Sequence, residues 1–398
     1  TASGHNPVLM LGEVAQETLR KAAADPRYIA LYRRACERYD DYMRRENISE
    51  KMQVAYFSME YGLVSCMPIY SGGLGLLSGD HLKAASDAGI PLVGVGILYQ
   101  KGYLKQSLNP DGWQTERYPD NDFYTLPVSP VRDAEGKELR VTIKLPGGRV
   151  FIKVWQKNVG KVKLYLLDTN VAENALPEHR NITDQLYGGD KEMRIQQEVM
   201  IGIGGMKALF ALGIEPCAVH MNEGHAAFSG IGRIQKIVEE EKISFDEALL
   251  TVRAGGVFTT HTPVPAGIDI FEPNLVDRYF AHYYDRLGLN KKDFLALGRR
   301  NPENDLEPFN MSSLAFRVSA YYNGVSRLHA RVSRSMWQGN WPHVPVDDVP
   351  ITNVTNGIHI HSWISREAGE LYDRYLGPRW REDPTDKTVW DKFEGVPD

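Results

Sequence analysis

The sequence predicts an α/β fold, a Rossmann-like, doubly wound parallel sheet. From Met52 onward, short apolar segments alternate with stretches of helical periodicity. That alternation is typical of a parallel sheet with helices on both faces. The chain has 398 residues, of which 42% are hydrophobic and 24% charged, as in ordinary globular proteins. Its length allows one large domain or two.

A helical segment and a βαβ unit come first. Residues 1–51 are predicted to be helical and polar-faced, because they are rich in Arg, Glu and Tyr. "MQVAYFSME" then predicts a strand, 76–88 a helix that stops at Gly89 and Pro91, and "PLVGVGILY" a second strand. The sheet domain is predicted to span 52–363.

The middle of the chain adds an antiparallel excursion, near 127–167, around a Pro-Gly-Gly turn. A helix follows over 191–212, and its glycines would let another backbone approach closely. "PCAVHM", "GGVFTTHTP" and "ITNVTNGIH" predict three further strands, and a helix is expected from about His225. "SFDE" at 244–247 is a capping box that opens the next helix.

The end of the chain changes character. Residues 364–398 are polar and rich in Trp and Arg, with three prolines, and are predicted to be a connecting segment. No closing element follows, so we expect the polypeptide to continue into another lobe.

Charge and cysteine content narrow the class of protein. A net charge of -5 provides no basic surface for nucleic acid. Three widely separated cysteines form no CxxC pair, which favours a reducing compartment over a disulfide framework. The sequence begins without a secretory signal pattern, and its apolar runs are shorter than a membrane span. We therefore expect a cytoplasmic protein without a membrane partner.

The stretch "IYSGGLGLLSGDH" has four glycines within eight positions, between a strand-like and a helix-like segment. No Gly-Lys-Ser/Thr follows, so it is not a P-loop. Two interpretations remain open at this point. The glycines either form a tight turn where helix packs on sheet, or bare amides that hold an anion beside a helix N-terminus.

Polar residues follow three other predicted strands. Asn222, Glu223 and His225 come after the first, His261 after the second and Asn356 after the third. Each is weak evidence alone, because a histidine near a strand end is usually structural. Ligands of open α/β sheets, however, bind outside the carboxyl ends of the strands. A crevice of amides and imidazoles with little positive charge suits a neutral polyhydroxyl ligand beside one anion.

Metal binding receives little support from the sequence. The spacing of "VHMNEGH" fails the HExxH pattern of a zinc helix. His359-x-His361 offers two ligands without a third in view. A retaining glycosidase would need two carboxylates about 5 Å apart, and nothing in the sequence brings Glu223 and Asp269 together.

Several long segments resemble the α-glucan (glycogen, maltodextrin) phosphorylase family, in that family's order. They cover roughly 52–363, and the first of these segments are most similar in sequence to the shorter prokaryotic enzymes. The matching segments are "AYFSMEYGL", "PIYSGGLGLLSGDHLKAASDAGIPLVGVGILYQKGYLKQ", "DGWQTE", "LYGGDKEMRIQQE", "VHMNEGHAAF", "THTPVPAGIDIF", "YYNGVSRLHA" and "VTNGIHIHSW".

The resemblance implies a fold, a reaction and a cofactor. The fold is GT-B, two Rossmann-like lobes with the site in the cleft, and this chain would be the N-terminal lobe. The reaction is retaining phosphorolysis, in which α-1,4-glucan and inorganic phosphate give α-D-glucose 1-phosphate and a shorter glucan. The cofactor is pyridoxal phosphate, whose 5′-phosphate exchanges protons with the substrate phosphate. A homodimer is also common in the family.

The resemblance also assigns roles to residues. His261 would be the catalytic residue at the transferred glucosyl group. Gly72, Gly73 and Leu74 would contact the substrates through their backbone. Asn222, Glu223 and His225 would line the glucose pocket, and Asn356 would bond the sugar's hydroxymethyl arm. Glu60, with Gly72 and Gly73, would lie beside the cofactor.

One feature departs from the family. Its cofactor lysine stands in a Ser-Asn-Met-Lys context in the C-terminal lobe, and no such string occurs in this sequence. We therefore expect catalysis only when a C-terminal lobe is present, in cis or as a separate chain. Two other functions stay open, a non-catalytic glucan-binding module and a nucleotide-sugar glucan synthase of the same architecture.

Overall fold

A computed structural model describes residues 5–48, 52–264 and 267–396. Its strands are β1 (Val54–Phe57), β2 (Leu92–Ile97), β3 (Lys105–Leu108), β4 (Gln114–Arg117), β5 (Ser129–Pro130), β6 (Arg140–Leu145), β7 (Gly148–Val159), β8 (Val162–Asp168), β9 (Ala218–Asn222), β10 (Gly256–Thr260), β11 (Ile270–Phe271), β12 (Phe309–Asn310), β13 (Tyr321–Gly324) and β14 (Ile351–Asn353).

The α-helices are α1 (Pro7–Glu13), α2 (Gln16–Ala24), α3 (Pro26–Arg44), α4 (Gly73–Asp87), α5 (Pro177–Arg180), α6 (Lys191–Val199), α7 (Gly205–Ala211), α8 (Phe228–Glu241), α9 (Phe245–Ala254), α10 (Pro273–Phe280), α11 (Tyr284–Leu287), α12 (Lys291–Ala296), α13 (Met311–Arg317), α14 (Arg327–Trp337), α15 (Ile360–Trp363), α16 (Arg366–Tyr375), α17 (Arg379–Glu382) and α18 (Lys387–Trp390). None of these described helices is long and apolar enough to cross a membrane.

A large, mostly parallel sheet organises the fold, in the order β14-β13-β10-β9-β1-β2-β8-β7-β5. The strands from β14 to β8 run parallel, so their carboxyl ends share one edge. Every residue of β2 is buried, as expected where helices cover both faces of a parallel sheet. The predicted α/β class with a parallel sheet is confirmed.

The predicted βαβ unit is present as β1, α4 and β2, and α4 begins three residues earlier than expected. The predicted capping box is also confirmed, because the Ser244 and Glu247 side chains each bind the other's backbone N–H. The helix predicted over 191–212 is continuous but contains a π-helical turn, Met200–Gly204, between α6 and α7. There a Cβ on Gly202 would lie 2.7 Å from the Phe228 carbonyl carbon.

The antiparallel excursion is an extension of the main sheet rather than a separate sheet. β7 runs antiparallel to β8 on one side and to β5 and β6 on the other. Gly147 and Gly148 have φ of 89° and 134° in the turn between β6 and β7, a conformation that favours glycine. The predicted Pro-Gly-Gly turn is therefore confirmed.

The chain forms two compact units. The first spans Thr1–Asn356 and contains the main sheet, and the second spans Gly357–Asp398. The second unit begins before residue 364, where the sequence predicts a connecting segment, and has its own small core of Leu376, Trp380 and Val389. Helices α1 to α3, within the predicted segment 1–51, contribute no buried residue.

Candidate functional site

A cavity of about 350 Å³ opens at the carboxyl edge of the sheet, where the loops after β9 and β10 meet the start of α4. It is lined by Leu74, Tyr187, Arg194, Glu223, Gly224, His225, His261, Thr262, Pro263, Gly267, Ile268, Asp269 and Ser312. A larger cavity of about 830 Å³ lies near the amino ends of β1, β2 and β8 and contains none of the predicted site residues.

The glycine stretch divides into two pairs with different causes. A Cβ on Gly75 would lie 2.5 Å from the Tyr70 Cβ, and one on Gly79 would lie 2.1 Å from the Gly62 carbonyl oxygen. These two glycines are required by packing. A Cβ on Gly72 or Gly73, in contrast, would meet no atom of the described residues within 4 Å. Packing within the described part of the chain therefore does not account for these two glycines.

The Glu60 side chain holds this glycine turn in place by hydrogen bonds to its backbone. Its Oε2 accepts hydrogen bonds from the backbone N–H groups of Ser71 (2.7 Å) and Gly72 (3.2 Å), and its Oε1 accepts one from the Tyr187 hydroxyl (2.8 Å). Among the described residues no side chain caps the N-terminus of α4, and the first amides of a helix have no intrahelical acceptor.

Glu223 anchors the loop after β10. Its Oε1 accepts hydrogen bonds from the backbone N–H groups of His261 (2.6 Å) and Thr262 (2.7 Å), and its Oε2 accepts one from Gly224 (3.2 Å). Glu223 also has φ 71° and ψ 169°, a region populated almost entirely by glycine. A non-glycine residue is held there only where the surroundings determine it, and here three backbone bonds do so.

Two histidines of the cavity are neutral near pH 7. Burial lowers the pKa of His225 to about 3, and the charge of Arg194 adds to the effect. Burial also lowers the pKa of His261 to about 4, with His329 contributing. The His225 Nε2 accepts a hydrogen bond from the Met59 backbone N–H (3.4 Å). The His261 Nε2 is buried without a hydrogen-bond partner in the described part of the chain, which leaves it available to a ligand.

An ionic wall of Arg194 and Asp269, on the other side of the cavity, was not predicted from the sequence. Arg194 donates two hydrogen bonds to Asp269, at 3.1 Å and 2.9 Å, and its guanidinium lies 4.9 Å from the Tyr187 ring centroid. Burial acts to raise the pKa of Asp269, but Arg194 outweighs it and the net pKa is lowered. Glu198 Oε1 lies 3.3 Å from the Arg194 Nε, and burial and then the Asp269 charge raise the pKa of Glu198 well above its usual range.

Sequence signals for this wall were present but incomplete. Arg194 is in the first turns of a helix that follows two glycines, and Asp269 follows the predicted strand "GGVFTTHTP" after a short loop. Their pairing across 75 residues cannot be inferred from spacing.

Asp269 and Glu223 do share the cavity, yet the first is held by a guanidinium and the second by backbone amides. Both carboxyl groups are thus already engaged within the protein, and this arrangement does not support the acid and nucleophile pair of a glycosidase.

Besides Glu60, Gly72 and Gly73 of the glycine turn, two of the predicted residues do not line this cavity. Asn222 is fully buried and donates hydrogen bonds to the hydroxyls of Ser58 (3.3 Å) and Ser78 (2.8 Å), which joins β9 to α4. Asn356 follows β14 and its side chain is exposed. Its backbone N–H donates to the Val325 carbonyl (3.1 Å). Asn222 therefore links the strand and helix that carry site residues. Asn356 is at the same edge of the sheet but does not line the cavity.

The histidine pair His359 and His361 belongs to the second compact unit. His359 Nδ1 bonds the Ser362 hydroxyl (2.8 Å), and His361 Nε2 bonds the Arg381 carbonyl (3.1 Å). No group of three possible metal ligands is found in residues 5–48, 52–264 or 267–396.

The sequence of this chain matches two family models. Residues 178–394 match the family described as carbohydrate phosphorylase. Residues 1–67 match a family described as protein of unknown function (DUF3417).

Relatives with assigned names align along nearly the whole chain. A maltodextrin phosphorylase of Thermococcus litoralis is 42% identical over 99% of this chain and 47% of its own length. A glycogen phosphorylase of Mycobacterium tuberculosis is 42% identical over 99% of this chain and 48% of its own. One from Aquifex aeolicus is 37% identical, over 99% and 56%. The chain thus spans about half the length of the curated relatives it matches.

Proposed function

Because this chain belongs to the carbohydrate phosphorylase family, we propose that it supplies one half of the active site of an α-1,4-glucan phosphorylase. In this proposal the main sheet is a Rossmann-like lobe of a GT-B enzyme, and a second lobe, in cis or as a separate chain, closes the cavity. One observation carries the proposal. The His261 Nε2 has no hydrogen-bond partner among the described residues, and His261 lines the same cavity as Leu74, which follows the open glycines.

The reaction exchanges one bond at the anomeric carbon for another. The bond between C1 of the terminal glucosyl unit and the glycosidic oxygen breaks, and C1 bonds an oxygen of inorganic phosphate. The glycosidic oxygen leaves with a proton as the new chain end. The products are α-D-glucose 1-phosphate and a glucan shortened by one unit, with the configuration at C1 retained.

The residues of this chain would bind and orient the substrates. The amides at the start of α4 suit an anionic oxygen, because a helix N-terminus carries partial positive charge. The neutral His261 ring would bond a hydroxyl of the transferred sugar, and the Glu223 carboxylate would keep the His261 backbone in position. A site that hydrogen-bonds sugar hydroxyls with buried groups rejects analogues lacking them, since its own groups would be left unpaired.

The glycine turn also fits one side of pyridoxal phosphate. The space beyond Gly72 and Gly73 is open, and Glu60 fixes the turn through two backbone bonds. When bound, the cofactor supplies a phosphate group that exchanges protons with the substrate phosphate. Gly72 and Gly73 would border the cofactor, and Glu60 would position them through its bonds to the backbone.

The experiment is a phosphorolysis assay of the full-length gene product with maltoheptaose and inorganic phosphate. We expect glucose 1-phosphate that requires both substrates, and a large loss of it in His261→Asn with unchanged circular dichroism. Free sugar released without phosphate would indicate a hydrolase. Glucan elongation from a nucleotide sugar would indicate a synthase. Either result, or glucan binding without turnover, would contradict the proposal.

A further inference from the structure

We propose that Ser312 is a further substrate-binding residue, whose hydroxyl group, together with the Arg194 guanidinium, bonds one hydroxyl of the transferred sugar. This inference deepens the proposed function and rests on it for the identity of the ligand. Ser312 lines the same cavity as His261. It was not among the residues that the sequence predicted for the site.

Three buried polar atoms of the cavity lining have no hydrogen-bond partner among the described residues. They are His261 Nε2, Arg194 Nη1 and Ser312 Oγ. Each comes from a different part of the fold, the loop after β10, α6 and α13 respectively. A buried polar atom without a partner costs free energy. Three such atoms around one cavity therefore indicate a polar ligand.

The start of α13 holds Ser312 in place. The Asn310 Oδ1 accepts hydrogen bonds from the backbone N–H groups of Ser312 (2.9 Å) and Ser313 (3.1 Å), so these two amides are already paired. The Met311 N–H donates to the Asp269 carbonyl (3.1 Å), which ties the start of the helix to the ionic wall. The group that α13 offers to the cavity is therefore the Ser312 hydroxyl rather than a helix amide.

Gly224 leaves this hydroxyl uncovered. A Cβ on Gly224 would lie 2.9 Å from the Ser312 Oγ and 3.0 Å from the Ser312 amide nitrogen, so a larger residue would displace or cover the serine. Gly224 lines the cavity between Glu223 and His225. The close approach of the two backbones thus brings Ser312 next to residues that were predicted for the glucose pocket.

The charges around Arg194 favour a neutral group at this wall. The guanidinium donates to both carboxylate oxygens of Asp269, and the Glu198 Oε1 lies 3.3 Å from its Nε. Two carboxyl groups adjoin one cation, which leaves little positive charge to hold a phosphate. The amides at the start of α4 suit the anion better. The sugar therefore faces Arg194 and Ser312, and the phosphate faces the glycine turn.

Donor and acceptor roles specify a hydroxyl group as the ligand. A guanidinium nitrogen only donates, whereas a serine hydroxyl both donates and accepts. The ligand atom must accept from Arg194 and can take either role toward Ser312, as a hydroxyl oxygen does. A sugar that lacks this hydroxyl would leave both protein groups unpaired, and its affinity would be lower for that reason.

Calorimetric titration of the full-length protein with glucose 1-phosphate and its monodeoxy analogues tests the inference. We expect Ser312→Ala to weaken the binding of glucose 1-phosphate by about 2- to 10-fold, the loss that one hydrogen bond produces. One deoxy analogue should bind Ser312→Ala and the unaltered protein equally, because it already lacks the hydroxyl that Ser312 contacts. The other analogues should lose affinity as glucose 1-phosphate does.

Ser313→Ala is the matched control. Ser313 is the next residue of α13, is fully buried and has a hydroxyl without a partner among the described residues, but it does not line the cavity. We expect Ser313→Ala to bind glucose 1-phosphate like the unaltered protein. Ser312→Cys, whose thiol is only a weak donor, gives a second variant with the expected pattern of Ser312→Ala. Urea unfolding shows that each variant is folded.

The outcomes separate this inference from the proposed function. Equal affinity of Ser312→Ala and the unaltered protein for every ligand would refute the role of Ser312, whatever the enzyme activity. An equal loss in Ser313→Ala, or the same loss for all the deoxy analogues, would refute it as well. If the pattern is as expected but no phosphorolysis is found, the sugar contact stands and the proposed reaction falls. If the protein binds no glucose 1-phosphate, both fall.

Discussion

Glu223 offers the sharpest test of the site, because it combines a strained backbone with three backbone hydrogen bonds. The comparison uses Glu223→Ala, Glu223→Gly and Glu223→Gln. Alanine and glycine both remove the carboxylate that accepts from His261 and Thr262 at 2.6 Å and 2.7 Å. Only glycine adopts φ 71° and ψ 169° without strain. The two variants therefore differ mainly in backbone energy.

The magnitudes can be worked out from this geometry. Each hydrogen bond to a charged group is worth about 1.5–3 kcal/mol, so losing the two short bonds costs about 3–6 kcal/mol in the loop. The strain at Glu223 costs about 1–3 kcal/mol, and glycine relieves it but loses about 0.5–1 kcal/mol through chain entropy. We expect Glu223→Gly to be about 1 kcal/mol more stable than Glu223→Ala. At most positions the order is the reverse.

Urea unfolding of both variants measures this difference, with the midpoint compared at constant m-value. The release of the loop should also reduce phosphorolysis, by about 30- to 1000-fold for a loss of 2–4 kcal/mol. Glu223→Gln keeps an acceptor for His261 and Thr262, so its activity should fall by only about tenfold. Equal stability of the glycine and alanine variants would refute the assigned strain. Normal activity in Glu223→Ala would refute the role of this carboxylate in positioning His261.

Three further predictions concern stability and binding. Gly73→Ala should leave the urea unfolding midpoint nearly unchanged, because its Cβ meets only open space among the described residues, and should weaken phosphate binding measured by calorimetry. Gly79→Ala should instead lower the free energy of unfolding by about 1 kcal/mol, because its Cβ would lie 2.1 Å from a carbonyl oxygen. Burial lowers the pKa of His220 and of His225 to about 3, so the folded chain resists protons that the unfolded chain accepts. The free energy of unfolding should be constant above about pH 6.5 and lower by about 2 kcal/mol per histidine at pH 5. Thermal melting over this pH range measures it, and an unaltered dependence of stability on pH in His220→Gln would contradict the prediction. Ser244→Ala, which removes the capping box, should cost about 1 kcal/mol in urea unfolding without changing phosphorolysis.

The sequence predicted those parts of the fold whose signals are local. β1, α4 and β2 follow from alternating apolar periods, and the helix at Phe245 follows from its capping box. The hairpin of β3 and β4 was missed, because all eight of its residues are exposed and no buried face gives it a period. β13 was missed too, since Tyr321–Gly324 has only four residues and ends in Asn-Gly.

The site was predictable up to the point where side-chain direction matters. The rule that ligands bind beyond the strand ends brought Glu223, His225 and His261 correctly to one cavity. It could not separate Asn222 from Glu223, although successive residues at a strand end point to opposite faces. Asn222 consequently faces Ser58 and Ser78 rather than the cavity.

The ionic wall explains why the two sides of the cavity form one unit. Glu60 bonds the Gly72 amide with one oxygen and the Tyr187 hydroxyl with the other. The Tyr187 ring faces the Arg194 guanidinium, which in turn holds Asp269 by two hydrogen bonds. The glycine turn and the loop after β10 are thus connected through side chains rather than by sequence. We therefore expect a ligand that displaces the glycine turn to disturb Asp269 through Tyr187 and Arg194, because each of these groups contacts the next.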